Sequence, residues 1–116
     1  MNRNFEIPVE EDFIGWEFYP SDKDDHDEGI ISYCKRYEDN RQLIVSFYPY
    51  GIDSKVTAEI VDGDIVIASI ASDEVSSIAF QGWGNEQVIR VYRRNCNNEF
   101  IVYFNPQPRI FMGELT

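Results

Sequence analysis

The residues able to do chemistry in this chain are carboxylates, and they crowd toward one end. Residues 1–28 hold ten acids against two bases, so that this first quarter carries −8 of a formal net charge of −11. Glu10-Glu11-Asp12 and the run Asp22, Asp24, Asp25, Asp27 and Glu28 make most of the excess. Asp22, Asp24 and His26 have the spacing of positions 1, 3 and 5 of a calcium loop. That template then requires glycine at position 6 and glutamate at position 12. Asp27 and Tyr33 stand there instead, so the pattern does not make an EF-hand. Zinc is served no better, because His26 is the sole imidazole and the two cysteines, Cys34 and Cys96, lack CxxC spacing. The expectation is therefore no metal and no cofactor.

Covalent catalysis finds little support either. A serine or cysteine nucleophile needs a positioned base, most often histidine. His26 lies in a polar stretch expected to be mobile, and Cys34 falls in the middle of an apolar run where it serves packing. There is no glycine-rich phosphate loop. With 21 acids, two carboxylates converging for acid–base work would be unremarkable and carries no information. No catalytic residue is expected, and the chain is read as a non-enzyme. Direct binding of nucleic acid is disfavoured, since it needs a basic footprint.

What remains is binding. An acidic face attracts basic proteins and speeds their encounter. The candidate contacts are Glu10, Glu11, Asp12, Asp22, Asp24, Asp25, Asp27 and Glu28, with Tyr19 as the exposed aromatic anchor beside them. The plainer alternative is that these acids only solvate a loop. Arg90, Arg93 and Arg94 form a small basic group expected to pair with the acidic segment inside the molecule. A different class of function is a small-ligand site lined by Trp83, Tyr92 and Tyr103. Trp83 stands between Gly82 and Gly84, either capping the core or exposed on a loop.

These residues must be carried by strands. The chain has 14 Ile and 9 Val but only 2 Leu and 4 Ala among its 116 residues, the aliphatic usage of pleated sheets rather than helices. Its length fits one β-rich domain spanning residues 1–116, with enough buried surface for a core without staples. Val88–Tyr92 and Phe100–Phe104 face each other across Asn95–Asn98 as the central hairpin. Val56–Val61 and Asp64–Ile70 flank Asp62-Gly63, which favours a type I′ hairpin turn. Strands are expected at residues 30–37 and 42–48, where Leu43, Val45 and Phe47 share one face. Residues 76–81 are assigned to a strand, with a short helix as the alternative, and Ile110–Met112 to an edge strand after Pro106 and Pro108. Pro8 and the acids after it allow one helical turn at residues 9–13. Ile14, Trp16 and Phe18 then alternate as a strand, with Trp16 and Phe18 in the core. The fold class is all-β, or β-rich α+β with one short helix. Its architecture is an antiparallel meander of eight to nine short strands forming a sandwich or a partial barrel.

A compact β-rich chain with Glu10-Glu11-Asp12, an acidic run at Asp22–Glu28 and no catalytic set resembles the immunity proteins of polymorphic toxin systems, including contact-dependent growth inhibition. The resemblance implies a small cytoplasmic protein that neutralises one toxin domain by binding it. Combined with the charge, it implies a basic partner, a toxin nuclease whose Lys and Arg groups would otherwise hold phosphates. The N-terminus has no apolar signal region and no apolar run is long enough to span a bilayer, so no membrane partner is expected. The expected state is a monomer or a weak dimer formed through an edge such as Ile110–Met112.

Overall fold

Period-2 alternation decides most of the architecture. The computed structural model describes residues 3–50, 54–94 and 98–113. In order, these form α1 (Glu10–Gly15), β1 (Phe18–Pro20), β2 (Ile31–Arg36), β3 (Arg41–Tyr48), β4 (Lys55–Asp62), β5 (Ile65–Ser72), β6 (Val75–Trp83), β7 (Glu86–Arg93), β8 (Glu99–Asn105) and β9 (Arg109–Gly113). Strands β1 to β5 make one sheet and β6 to β9 a second, each in sequence order with every neighbour antiparallel. The meander is therefore a sandwich of five and four strands.

Each sheet turns one face inward. Leu43, Val45 and Phe47 of β3 lie directly opposite Ile60, Ala58 and Val56 of β4, and all six are buried. From the second sheet come Ile78 of β6, Ile89 and Val91 of β7, and Phe100, Val102 and Phe104 of β8. The β7–β8 hairpin occupies the middle of its sheet, as its density of β-branched residues demands. Its turn residues Asn95, Cys96 and Asn97 lie outside the described residues.

Three expectations are corrected. The helical turn expected at residues 9–13 is present and runs over residues 10–15, so the strand expected from Ile14 begins only at Phe18. Ile14, Trp16 and Phe18 do alternate, but Phe13 and Trp16 are also three apart, and burying Phe13 completely selects the helical spacing. Phe18 is in the core as expected, whereas Trp16 is half-buried at the helix C-cap with its ring 5.4 Å from that of Phe104. Glu17 then takes a left-handed φ of 66° to turn the chain into β1. At the β4–β5 turn, Asp62 pairs with Ile65, so Gly63 and Asp64 are the central residues. Only Gly63 has positive φ, which is the pattern of a type II′ turn rather than type I′. The arginines do not hold the acidic segment. Arg90 is paired with Glu99 at 2.6 Å, Arg94 donates to Ser54 Oγ at 3.3 Å, and Nε and Nη1 of Arg93 are buried with no hydrogen-bond partner among the described residues.

Six rings join the helix to both sheets. Phe13 stacks on Tyr33 of β2 with centroids 4.0 Å apart, and meets Phe18, Phe47 and Phe80 edge-on at 5.7, 5.8 and 5.0 Å. Phe104 of β8 closes the cluster against Phe18 and Phe80. Lys35, buried beneath the helix, donates to Trp16 O at 2.6 Å, where a cation also meets the negative end of the short helix. Truncating Phe13 to alanine should cost about 3–5 kcal/mol of unfolding free energy, measured in urea, since it empties a site that four other rings line.

Tyr37 ties the sheets together at one end by donating to Phe104 O at 2.6 Å. Burial pushes its hydroxyl well above the ordinary value of 10.0, with Arg41 opposing, and burial likewise raises Tyr33. Above that ordinary value the unfolded tyrosines ionise while the folded ones stay protonated. The folded state then holds more protons, and stability falls as pH rises. Lys35, lowered by burial, acts in the opposite sense below its ordinary value of 10.5. Tyr37→Phe should therefore lower stability near neutrality by about 1 kcal/mol, through the lost hydrogen bond. It should also make the alkaline fall shallower than in the unmodified chain, as read from urea unfolding between about pH 8 and 11.

Candidate functional site

The acids are presented by two elements that the ring cluster holds. Glu10, Glu11 and Asp12 occupy the first turn of α1, where carboxylates suit the positive end of the helix, and all three are exposed. The second element is the segment from Ser21 to Gly29 between β1 and β2. Its backbone is laced together by hydrogen bonds. Asp25 and Ile30 exchange two backbone hydrogen bonds at 2.9 and 2.8 Å, and Asp24 N donates to Ser21 O at 3.0 Å. Gly29, at φ +74°, passes so close to Tyr50 that a Cβ there would lie 2.9 Å from the ring.

Two of the acids are consumed in building this loop. Asp24 Oδ1 accepts from Ser32 N at 2.8 Å, and its Oδ2 lies 3.1 Å from His26 Nε2. Asp25 Oδ1 accepts from the backbone N–H groups of Asp27 and Glu28 at 3.2 and 3.3 Å. Beneath the loop, the hydroxyls of Ser21, Ser32 and Ser46 form a chain with separations of 2.5 and 2.8 Å. Lys23 reaches across the sheet to Glu59 of β4. Asp22, Asp27 and Glu28 are left exposed.

The nine predicted contacts fall on adjoining surfaces rather than on one patch. Glu10, Asp24 and His26 line a groove of ≈ 370 Å³ between the helix start and the loop, with Glu6 at its margin and Tyr33 within it. Burial chiefly raises the Tyr33 hydroxyl, and the neighbouring Glu10 and Asp24 carboxylates raise it further. Asp27 and Glu28 stand beside Tyr50 at the far side of the same loop. Tyr19, 59% exposed, and Asp22 border a depression of ≈ 490 Å³ on the outer face of the first sheet, with Cys34 and Ile44. Burial raises the Cys34 thiol, whose Sγ donates to Gln42 Oε1 at 3.2 Å, so it is not a poised nucleophile. Glu11 and Asp12 face another way, beside Trp16 and Phe80. Sequence reasoning missed Glu6, Tyr33 and Tyr50. Glu6 continues the acidic bias, but nothing local brings Tyr33 and Tyr50 to the same loop.

The aromatic residues proposed to line a ligand pocket are arranged differently. Trp83 and Tyr103 meet edge-on at 6.2 Å on the outer face of the second sheet. The Arg90 guanidinium lies between Trp83 and Tyr92, at 5.6 and 4.9 Å from their centroids, and Arg109 covers Tyr103 at 3.9 Å. Gln81 accepts from Trp83 Nε1 and donates to the Tyr92 hydroxyl. Val88 and Ile101, whose side chains point to this face, are fully buried beneath the layer. It is a self-satisfied roof of alternating rings and cations. Among the described residues, no group of three or more His, Cys, Asp or Glu is arranged to hold a metal ion.

No protein-family model matches the chain, and no curated protein matches it. A solved structure does. It is a chain of a contact-dependent growth inhibition toxin–immunity protein complex from Klebsiella pneumoniae 342, with a TM-score of 0.78 and 16% identity over 96% of both chains. The two chains share one fold. The likeness extends over nearly the whole chain rather than a fragment.

The structural and the free acids should separate on mutation. Asp24→Ala should cost about 1–2 kcal/mol and speed exchange of the Ser32 amide, because it leaves that donor unpaired. The double variant Asp27→Asn, Glu28→Gln should stay within about 0.5 kcal/mol of the unmodified chain in the same urea titration.

Proposed function

We propose that the chain is an immunity protein, a non-catalytic binding protein that neutralises a basic toxin domain by covering it. The observation that carries this proposal is the end-to-end fold likeness to a chain of a toxin–immunity complex. The charge supports the finer part. Nucleases hold phosphates with Lys and Arg, and a protein of net charge −11 that concentrates its acids on a rigid loop and a helix start offers a complementary surface. Glu10, Asp22, Asp27 and Glu28 are exposed and supply the charge. Glu11 and Asp12 extend it along the helix. Tyr19, next to Asp22, is the aromatic contact, amphipathic and cheap to order. Asp24 and Asp25 act through the loop, holding the others in place. Because the acids are pre-positioned, little conformational entropy is lost on binding. The partner meets a monomer, in the cytoplasm where a nuclease toxin would act. No helix among the described residues is long and apolar enough to cross a membrane.

Co-expression with the product of the adjacent gene tests this directly. Growth should be rescued from a toxic neighbour, and the two proteins should copurify. Neutralising Glu10, Asp22, Asp27 and Glu28 together should weaken the complex about 10- to 100-fold, or about 1.4–2.8 kcal/mol, and flatten its salt dependence. Absence of rescue and of a complex removes the immunity proposal. A complex whose affinity and salt dependence ignore the four substitutions removes the acidic surface from it.

A further inference from the structure

The charge pattern has a second feature besides the acidic first quarter. No basic residue lies between Lys55 and Arg90, whereas Glu59, Asp62, Asp64, Asp73, Glu74 and Glu86 all do. Glu59 is paired with Lys23 and Glu86 with Arg109. The other four bracket a single strand and are exposed: Asp62 and Asp64 just before the start of β5, Asp73 and Glu74 just after its end. Asp62 sits across the ladder from Arg41, which is itself bound to Asp39. Asp64, Asp73 and Glu74 form no ion pair among the described residues.

Strand β5 is the edge of the five-stranded sheet, pairing with β4 on one side and with no described strand on the other. From Ile65 to Ser72 it carries no charge. Ile65, Val66 and Ile67 are 68%, 51% and 53% exposed. Ile65 and Val66 are successive strand residues on opposite faces, so the exposure of both leaves this end of β5 uncovered on either face. The register shifts at Ile60/Val61, where Ile60 faces Ala68 and Val61 faces Val66, leaving Ile67 without a partner on β4. That bulge is the one blunting device β5 carries, whereas the other edges use several. β1 has three residues and ends in Pro20, and β9 follows two prolines and opens with Arg109. β6, the other long edge, keeps Val75 and Ile78 buried and exposes serines.

We infer that the outer edge of β5 docks an extended segment of a protein partner, β-branched in its middle and bearing Lys or Arg at both ends, which adds as a sixth strand to the sheet. Main-chain hydrogen bonds hold such a strand, Ile65 and Ile67 supply apolar contact, and the acids at the two ends set its register. An eight-residue strand spans roughly 25 Å, so the basic ends must be about that far apart. The inference draws on the proposed function only for the basic character of the partner.

The probe is a synthetic strand of alternating threonine and valine, as long as β5, with two lysines at each end. It should slow amide exchange at residues 65–71 by about 10-fold or more at saturation. Affinity should drop about 10-fold or more on N-methylating alternate peptide amides, in Ile67→Lys, and in the triple variant Asp64→Asn, Asp73→Asn, Glu74→Gln. All the substituted side chains are exposed, and circular dichroism verifies the fold. A peptide that leaves the β5 amides unprotected, or that binds as well when N-methylated, overturns the inference. So does a dimer of the chain itself that Ile67→Lys dissolves. Growth protection reads the proposed function separately. If protection fails while the strand pairs with β5, the immunity proposal falls alone; if protection holds and the strand does not pair, this inference falls alone.

Discussion

The acidic surface exists because one ring is buried. Phe13 touches β1, β2, β3 and β6 through aromatic contacts at 4.0–5.8 Å, and its complete burial fixes which side of a six-residue helix faces the sheets. A helix that short is not stable alone. Its three acids are held in space by Phe13, by Trp16 against Phe104, and by Lys35 at the helix C-terminus. The stacked partner of Phe13 is Tyr33, which lies in the groove between Glu10 and Asp24. Core and charged surface therefore meet in one pair of stacked rings, and a change on one side is felt on the other.

Concentrating like charge has a cost in self-repulsion. The loop from Ser21 to Gly29 offsets it by giving its innermost carboxylates work as hydrogen-bond acceptors. Asp24 accepts from the Ser32 N–H at the start of β2, and Asp25 accepts from the N–H groups of Asp27 and Glu28. Charge-assisted bonds of this kind are stronger than neutral ones, so acidity and rigidity come from the same residues. Lys23, the one base in the loop, is spent in tethering it to Glu59 rather than in neutralising its neighbours.

Strands were legible where alternation and turn chemistry agreed. Leu43, Val45 and Phe47 declared their face, and Asp62-Gly63 declared a hairpin, although the turn takes Gly63 and Asp64 as its centre. The helix was ambiguous because Ile14, Trp16 and Phe18 satisfy period 2 while Phe13 and Trp16 satisfy helical spacing, and only tertiary burial of Phe13 chooses between them. The destination of the arginines was not readable. Arg90 meets Glu99 through the β7–β8 register, which includes a shift at Gln87/Val88 that no local pattern announces. The same holds for the site. The acids were visible as a composition, but which of them converge depends on Tyr33 and Tyr50, contributed by other parts of the chain.

A sandwich of two sequential meanders asks little of its sequence beyond apolar alternation and turn residues, which is why the same fold is reached at 16% identity. Its outer faces and edges are then free to vary independently of the core. In this chain the two sheets have used that freedom in opposite ways. The second covers Val88 and Ile101 with Arg90, Arg109 and aromatic rings, each cation answered by Glu99 or Glu86, and so closes itself off. The first leaves Tyr19, Asp22, Asp27 and Glu28 exposed at one edge and the uncharged β5, flanked by acids, at the other. Unanswered carboxylates and the most apolar of the long edges thus collect on one sheet. A partner that recognises this chain by charge and by main-chain pairing would meet both on that sheet, and it is in the loops and edge strands, not in the core, that chains of this fold have room to differ in what they bind.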